Sequence, residues 1–62
     1  MRIHIRAARI NAGLTQQQAC EKLAISRATL QNYESGKTVP SIEVAKEMSV
    51  LYEIPLEYLK FF

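Results

Sequence analysis

One stretch of this chain carries side chains able to read the edge of a nucleobase. If Arg27 to Ser35 is helical, at about 100° per residue, Thr29, Leu30 and Tyr33 share one face. Arg27, Ala28, Gln31, Asn32 and Ser35 occupy the opposite face. Arg presents a guanidinium fork to guanine, and Gln or Asn presents an amide to adenine. Ala28 is too short to hydrogen-bond; it suits a thymine methyl or a close approach. The same polar set also fits an ordinary solvated helix face, and this helix alone leaves both readings open.

The elements around it position that face. Ser26 is a good N-cap, because its hydroxyl can accept from a backbone N–H one turn on. Gly36 suits the left-handed conformation that ends helices. Before it, Thr15 can cap a helix over Gln16–Leu23 whose inner side is Ala19, Cys20 and Leu23. The small Ala19 and Cys20 let a second helix cross closely. Ala24 and Ile25 form the turn, with Ile25 anchored inward. A short helix, a tight turn and a helix with a polar outer face is the helix-turn-helix plan, here over 16–35.

The stretch LTQQQACEKLAISRATLQNYESGKTVPS resembles the helix-turn-helix of the Cro and lambdoid-repressor family, also called the XRE family. The features that carry the resemblance are Leu14-Thr15-Gln16, Cys20, Leu23, Ile25-Ser26, Leu30, Tyr33-Glu34, Gly36-Lys37 and Pro40-Ser41. It continues through IEVAKEMSVLYEIPLEYL and covers nearly the whole chain. The chain departs from the pattern at Ala24, where Gly is usual, at Ala19 and Cys20, and at Glu53, where Gly commonly ends the fourth helix. The resemblance implies an all-α, compact five-helix, lambda-repressor-like DNA-binding domain with the helix-turn-helix at helices 2 and 3. It implies base contacts from Arg27, Ala28, Gln31 and Asn32, and phosphate contacts from Gln16, Ser26, Ser35, Lys37 and Thr38. Gln16 is expected to fix the helix to a phosphate or the outermost base.

Composition is consistent with a polyanion-binding face. The 62 residues make one small domain with a limited core, which a partner subunit would help to stabilise. Residues 1–40 hold six basic and two acidic residues, a net of +4; residues 41–62 hold two and four, a net of −2. The basic half coincides with the helix-turn-helix. No apolar run is long enough to span a membrane, and Met1 to Gly13 lacks a signal-peptide pattern. The single Cys20 fits a reducing cytoplasm and acts as a small core residue. There is no catalytic constellation, no phosphate-binding glycine loop and no sign of a cofactor, metal or small-molecule ligand.

The remaining segments complete the expectation. RIHIRAARINAG fits a first helix ending at Gly13, with stripes Ile5–Ala8–Ala12 and Ile3–Ala7–Ile10; IHI also fits an extended arm. His4 has no second ligand at metal-binding spacing. Arg9 could meet a phosphate, but the family resemblance favours an ion pair with Glu34. Helix 4 should run from Ile42 to about Tyr52 behind an N-cap at Ser41, with Ile42, Ala45, Met48, Ser49 and Tyr52 inward. PLEYLKFF reads as a final short helix begun by Pro55. Val50, Leu51, Ile54, Leu56, Phe61 and Phe62 are surplus apolar residues in the acidic half, expected at a homodimer interface; the terminal Phe pair could instead fold back onto the core.

The expected function is a sequence-specific double-stranded DNA-binding regulator, a phage-, plasmid- or bacterial-type repressor working as a homodimer on a palindromic operator. The alternative of a different class is a protein-interaction module of the same fold, an antitoxin or antirepressor acting through a protein partner.

Overall fold

Each helix of this protein begins where a polar side chain caps it. The computed structural model describes residues 2–61. In chain order they form β1 (Ile3–His4), α1 (Ile5–Asn11), α2 (Gln16–Leu23), α3 (Arg27–Ser35), α4 (Ile42–Tyr52), a 3-10 turn (Leu56–Tyr58) and β2 (Leu59–Lys60). Thr15 caps α2 in a reciprocal box with Gln18: its hydroxyl accepts from the Gln18 N–H at 3.1 Å, and the Gln18 side chain accepts from the Thr15 N–H at 2.9 Å. Ser26 and Ser41 cap α3 and α4 in the same sense, each accepting from the N–H three residues on. His4 caps α1: its Nδ1 accepts from the Arg6 N–H at 3.1 Å.

Left-handed residues end three of these helices. Gly36 adopts φ 81° after α3, as its lack of a Cβ allows. Ala24 (φ 58°) ends α2 and Glu53 (φ 56°) ends α4, the two places where the sequence offers a side chain instead of glycine. Both therefore hold a conformation that costs an L-residue about 1–2 kcal/mol.

The core is small. Ile5, Ala8, Ala19, Cys20, Leu23, Leu30, Met48, Tyr52 and Leu59 are buried together, with Leu14, Ile25, Tyr33 and Val44 among the residues packed around them. Ala19 and Cys20 are the small residues that let α3 approach α2, and Leu30 fills the space between.

Three expectations are corrected here. The described residues contain four α-helices, not five. Where the sequence predicts a helix over PLEYLKFF, Leu56–Tyr58 close one 3-10 turn, with the Tyr58 N–H donating to Pro55 O at 2.9 Å, and Leu59–Lys60 are extended; Phe62 lies outside the described residues. Extension lets Leu59–Lys60 pair in parallel with Ile3–His4, in the register Ile3 with Leu59 and His4 with Lys60. That pairing supplies partners for both backbones, and Leu59 is buried in the core. IHI accordingly starts as an extended arm, and α1 begins at Ile5. On α1 only Ile5, Ala8 and Arg9 are buried; Ala7 and Ile10 lie on its outward side, and Ala12 is exposed past the helix end at Asn11. On α4, Ala45, Met48 and Tyr52 point inward, whereas Ile42 is exposed: the first turn stands beyond the edge of the core. Ser49 is half-buried and spends its hydroxyl on Ile54 O at 2.6 Å, tying the helix end to the chain after it.

Candidate nucleic-acid interface

The outer side of α3 follows from its capping and from the apolar contacts of Leu30 and Tyr33 with the core. Leu30 is fully buried against α2, which turns the helix so that Arg27, Ala28, Gln31 and Ser35 are exposed and Asn32 half-exposed. Tyr33 and Thr29 sit at the margin, partly buried.

One acid lies at the end of this helix and is fully occupied. Glu34 Oε2 accepts from Arg9 Nε at 2.7 Å, and Glu34 Oε1 accepts from Arg9 Nη2 at 3.2 Å. The Arg9 and Glu34 side chains are only 8% and 3% exposed. The third guanidinium nitrogen of Arg9, Nη1, donates to Leu14 O at 2.9 Å, so one side chain ties α1, the α1–α2 turn and α3 together. A two-point contact between a planar cation and a carboxylate fixes orientation as well as distance. It also neutralises the acid of the otherwise cationic and polar α3.

The network extends outward from this pair. Gln16 Nε2 donates to Glu34 Oε1 at 3.0 Å, and Gln31 Nε2 approaches Gln16 Oε1 at 3.4 Å. Gln16 thus links the buried pair to an exposed side chain of α3. Its amide N–H is directed at Glu34. Gln16, Gln31, Glu34 and Ser35 line a polar cleft of about 410 Å³ together with Arg6. Sequence reasoning had not singled out Arg6. The available signal was its place three residues before Arg9, which puts both on one side of α1.

Of the other candidate residues, Ser35 lines this cleft, whereas Ser26, Lys37 and Thr38 do not. Ser26 Oγ accepts from the Thr29 N–H and lies 2.8 Å from Thr29 Oγ1, so its hydroxyl serves the cap. Ser35 Oγ donates to Asn32 O at 3.2 Å. Lys37 and Thr38 are exposed just beyond the α3 C-terminus. Their backbone N–H groups both donate to that same Asn32 carbonyl, at 3.0 and 3.3 Å, which leaves their side chains as the groups they can offer.

Behind the pair lies Tyr52. Its hydroxyl is buried and has no hydrogen-bond partner among the described residues. Burial pushes its pKa up to about 12; the Glu34 carboxylate adds to the rise and the Arg9 guanidinium opposes it.

The residues expected at a dimer contact are placed unevenly. Val50 is 80% exposed; Leu51, Ile54, Leu56 and Phe61 are half-buried and packed against the core, and Phe62 lies outside the described residues. Among the described residues no group of His, Cys, Asp or Glu could hold a metal ion, and no helix is long and apolar enough to cross a membrane.

The arrangement agrees with comparisons to known proteins. The helix-turn-helix family model HTH_3 matches residues 5–59. The chain is 38% identical over 55 residues to the HTH-type transcriptional regulator ImmR of Bacillus subtilis, covering 89% of this chain and 43% of that protein. It is 35% identical over 51 residues to the HTH-type transcriptional activator BcrR of Enterococcus faecalis, covering 82% of this chain and 25% of that one. It is 32% identical over all 62 residues to an uncharacterized HTH-type transcriptional regulator of Archaeoglobus fulgidus, of which it covers 89%. The chain thus spans less than half the length of the first two relatives. No solved structure gives a significant match. With a capped helix pair over residues 16–35 and a family match spanning α1 to β2, this chain belongs to the XRE-type helix-turn-helix family and is homologous to HTH-type transcriptional regulators.

Proposed function

We propose that this protein is a sequence-specific double-stranded DNA-binding transcriptional regulator, a repressor that binds a palindromic operator as a homodimer. The observation that carries the reading is the outer face of α3. Arg27, Ala28 and Gln31 are exposed with Asn32 beside them, and the acid at the helix end is neutralised from behind by Arg9. An unpaired carboxylate there would repel phosphate; a paired one is compatible with a duplex.

In this reading the first residues of α3 enter the major groove. Arg27, Gln31 and Asn32 meet base edges, and Ala28 lets the helix lie close. Arg6, Lys37 and Thr38 meet phosphates through their side chains, with Gln16, Ser26 and Ser35 at the margin of the contact. Such contacts set register and affinity without carrying sequence information. One recognition helix reads too few base pairs to select a site among ~10⁶ competitors. Two copies joined through the C-terminal half double the readout and demand half-sites about one helical turn apart.

Fluorescence anisotropy with mixed-sequence duplex at rising salt, followed by selection from a randomised duplex pool, tests this. A steep salt dependence and an enriched palindrome are expected. Salt-insensitive or absent duplex binding would instead favour a module acting through a protein partner.

A further inference from the structure

The terminal ribbon moves one cation from the acidic half of the chain to the basic half. By sequence Lys60 belongs with residues 41–62, which hold two basic and four acidic side chains. In the fold, β2 lies parallel to β1, with Lys60 opposite His4 and Leu59 opposite Ile3. Paired strands lie about 4.8 Å apart, and side chains alternate between the two faces of a strand. Leu59 is buried and Ile3 packs against the core, so His4 and Lys60 share the outward face. Lys60 is exposed, as is Arg2 beside the ribbon. His4 leads directly into α1: its Nδ1 accepts from the Arg6 N–H at 3.1 Å, which fixes the Arg6 backbone next to the ribbon. Arg6 in turn lines the cleft with Gln16, Gln31 and Ser35. A basic edge therefore runs from that cleft through Arg6 and His4 to Lys60. Neither Arg6 nor Lys60 is in an ion pair among the described residues, and Glu57, three residues before Lys60, is not paired with it.

We infer that Lys60 contacts duplex phosphates that α3 and the loop after it do not reach, extending the backbone contact begun by Arg6. This rests on the DNA-binding reading above and adds a contact outside the helix-turn-helix. Arg27, Gln31 and Asn32 belong to α3, and the basic edge leads away from them across the start of α1. An ammonium on a flexible stem meets a phosphate as a point charge and needs no fixed approach. In this role Lys60 carries affinity but no sequence information. The β1–β2 pairing supplies the position, since without it nothing would hold Lys60 beside α1. Each phosphate neutralised in this way releases counterions and steepens the salt dependence of binding.

Anisotropy titrations on two duplexes test it. One holds a single half-site from the selection above; the other extends it on both sides by ~5 bp of mixed sequence, about half a helical turn. The native chain should bind the extended duplex more tightly and with a steeper salt slope. Lys60→Gln should lower that slope by about 0.9 on the extended duplex and leave it unchanged on the short one. Lys60→Arg should restore it. Lys46→Gln removes the same charge from α4, where Lys46 borders a groove that no candidate DNA-contacting residue lines. This control should bind both duplexes as the native chain does. Lys46 and Lys60 are exposed, so melts of the variants should match the native one. If Lys60→Gln and Lys46→Gln alter binding equally, Lys60 acts only through net charge and the inference fails. It also fails if Arg6→Gln abolishes the gain from the longer duplex while Lys60→Gln keeps it; the DNA reading then stands. If the native chain binds neither duplex, the DNA reading itself fails.

Discussion

Arg9 and Glu34 meet through two hydrogen bonds, the shorter of 2.7 Å, and both side chains are almost entirely shielded from water. Breaking such a pair by removing one member strands the other charge, at a cost of about 3–5 kcal/mol. For so small a domain that is a large share of total stability. Glu34→Ala is therefore expected to lower the melting temperature sharply and not to tighten DNA binding. A thermal melt with a parallel anisotropy titration checks this; an unchanged midpoint with tighter binding would mean the carboxylate is a free surface acid.

Gln16 connects that pair to Gln31. Gln16→Ala removes one hydrogen bond to Glu34 and the acceptor beside Gln31. The expected stability loss is about 1 kcal/mol. The larger effect should be relaxed preference at the base position Gln31 reads. Selection from a randomised half-site, run beside a melt, separates the two. A uniform loss of affinity would place Gln16 on a phosphate instead.

Tyr52 gives the fold a response to alkali. Its pKa of about 12 lies above the ordinary phenolic value near 10, so the folded chain holds this proton more tightly than the unfolded chain. The associated stability is whole below pH 10 and falls as pH rises through 12. Tyr52→Phe should lose this part of the alkaline decline in melts taken from pH 9 to 12. At pH 7 it deletes a buried hydroxyl with no partner among the described residues and should be neutral or stabilising. A clear destabilisation at pH 7 would show that the hydroxyl is satisfied.

Ala24 and Glu53 hold left-handed backbone at the ends of α2 and α4. Glycine removes the Cβ strain but adds freedom to the unfolded chain, and the two effects partly cancel. Ala24→Gly and Glu53→Gly should each stabilise by up to about 1 kcal/mol. Denaturant midpoints measure it; a loss at either position would mean the side chain contributes more than its strain costs.

The parts of this structure that were legible in the sequence are those set by local chemistry. Thr15, Ser26 and Ser41 mark three helix starts because a cap needs only a side chain and the backbone three residues on. Gly36 marks an end for an equally local reason. The parallel pairing of Ile3–His4 with Leu59–Lys60 joins the two ends of the described chain, and no local period announces it. The spacing of LEYLK fits a helix, but pairing with the extended Ile3–His4 arm competes with it. Ile42 misled in another way: it lies on the arc of Ala45 and Ser49, but the core stops below the first turn. In the candidate interface, residue types pointed to the α3 face, whereas Arg6 and the Gln16–Gln31 contact depend on how α1 and α2 pack against it.

The central claim is that the outer face of α3 reads bases while the loop after it holds the backbone. Selection from a randomised operator pool with the native chain, Arg27→Ala, Asn32→Ala and Lys37→Ala tests it most directly. Arg27→Ala and Asn32→Ala should each lose about 1–3 kcal/mol of discrimination, confined to one or two base positions apiece. Lys37→Ala should weaken binding to every sequence about equally and flatten the salt dependence. Uniform loss across all positions for the two α3 variants, with the native sequence preference intact, would contradict base readout by this helix.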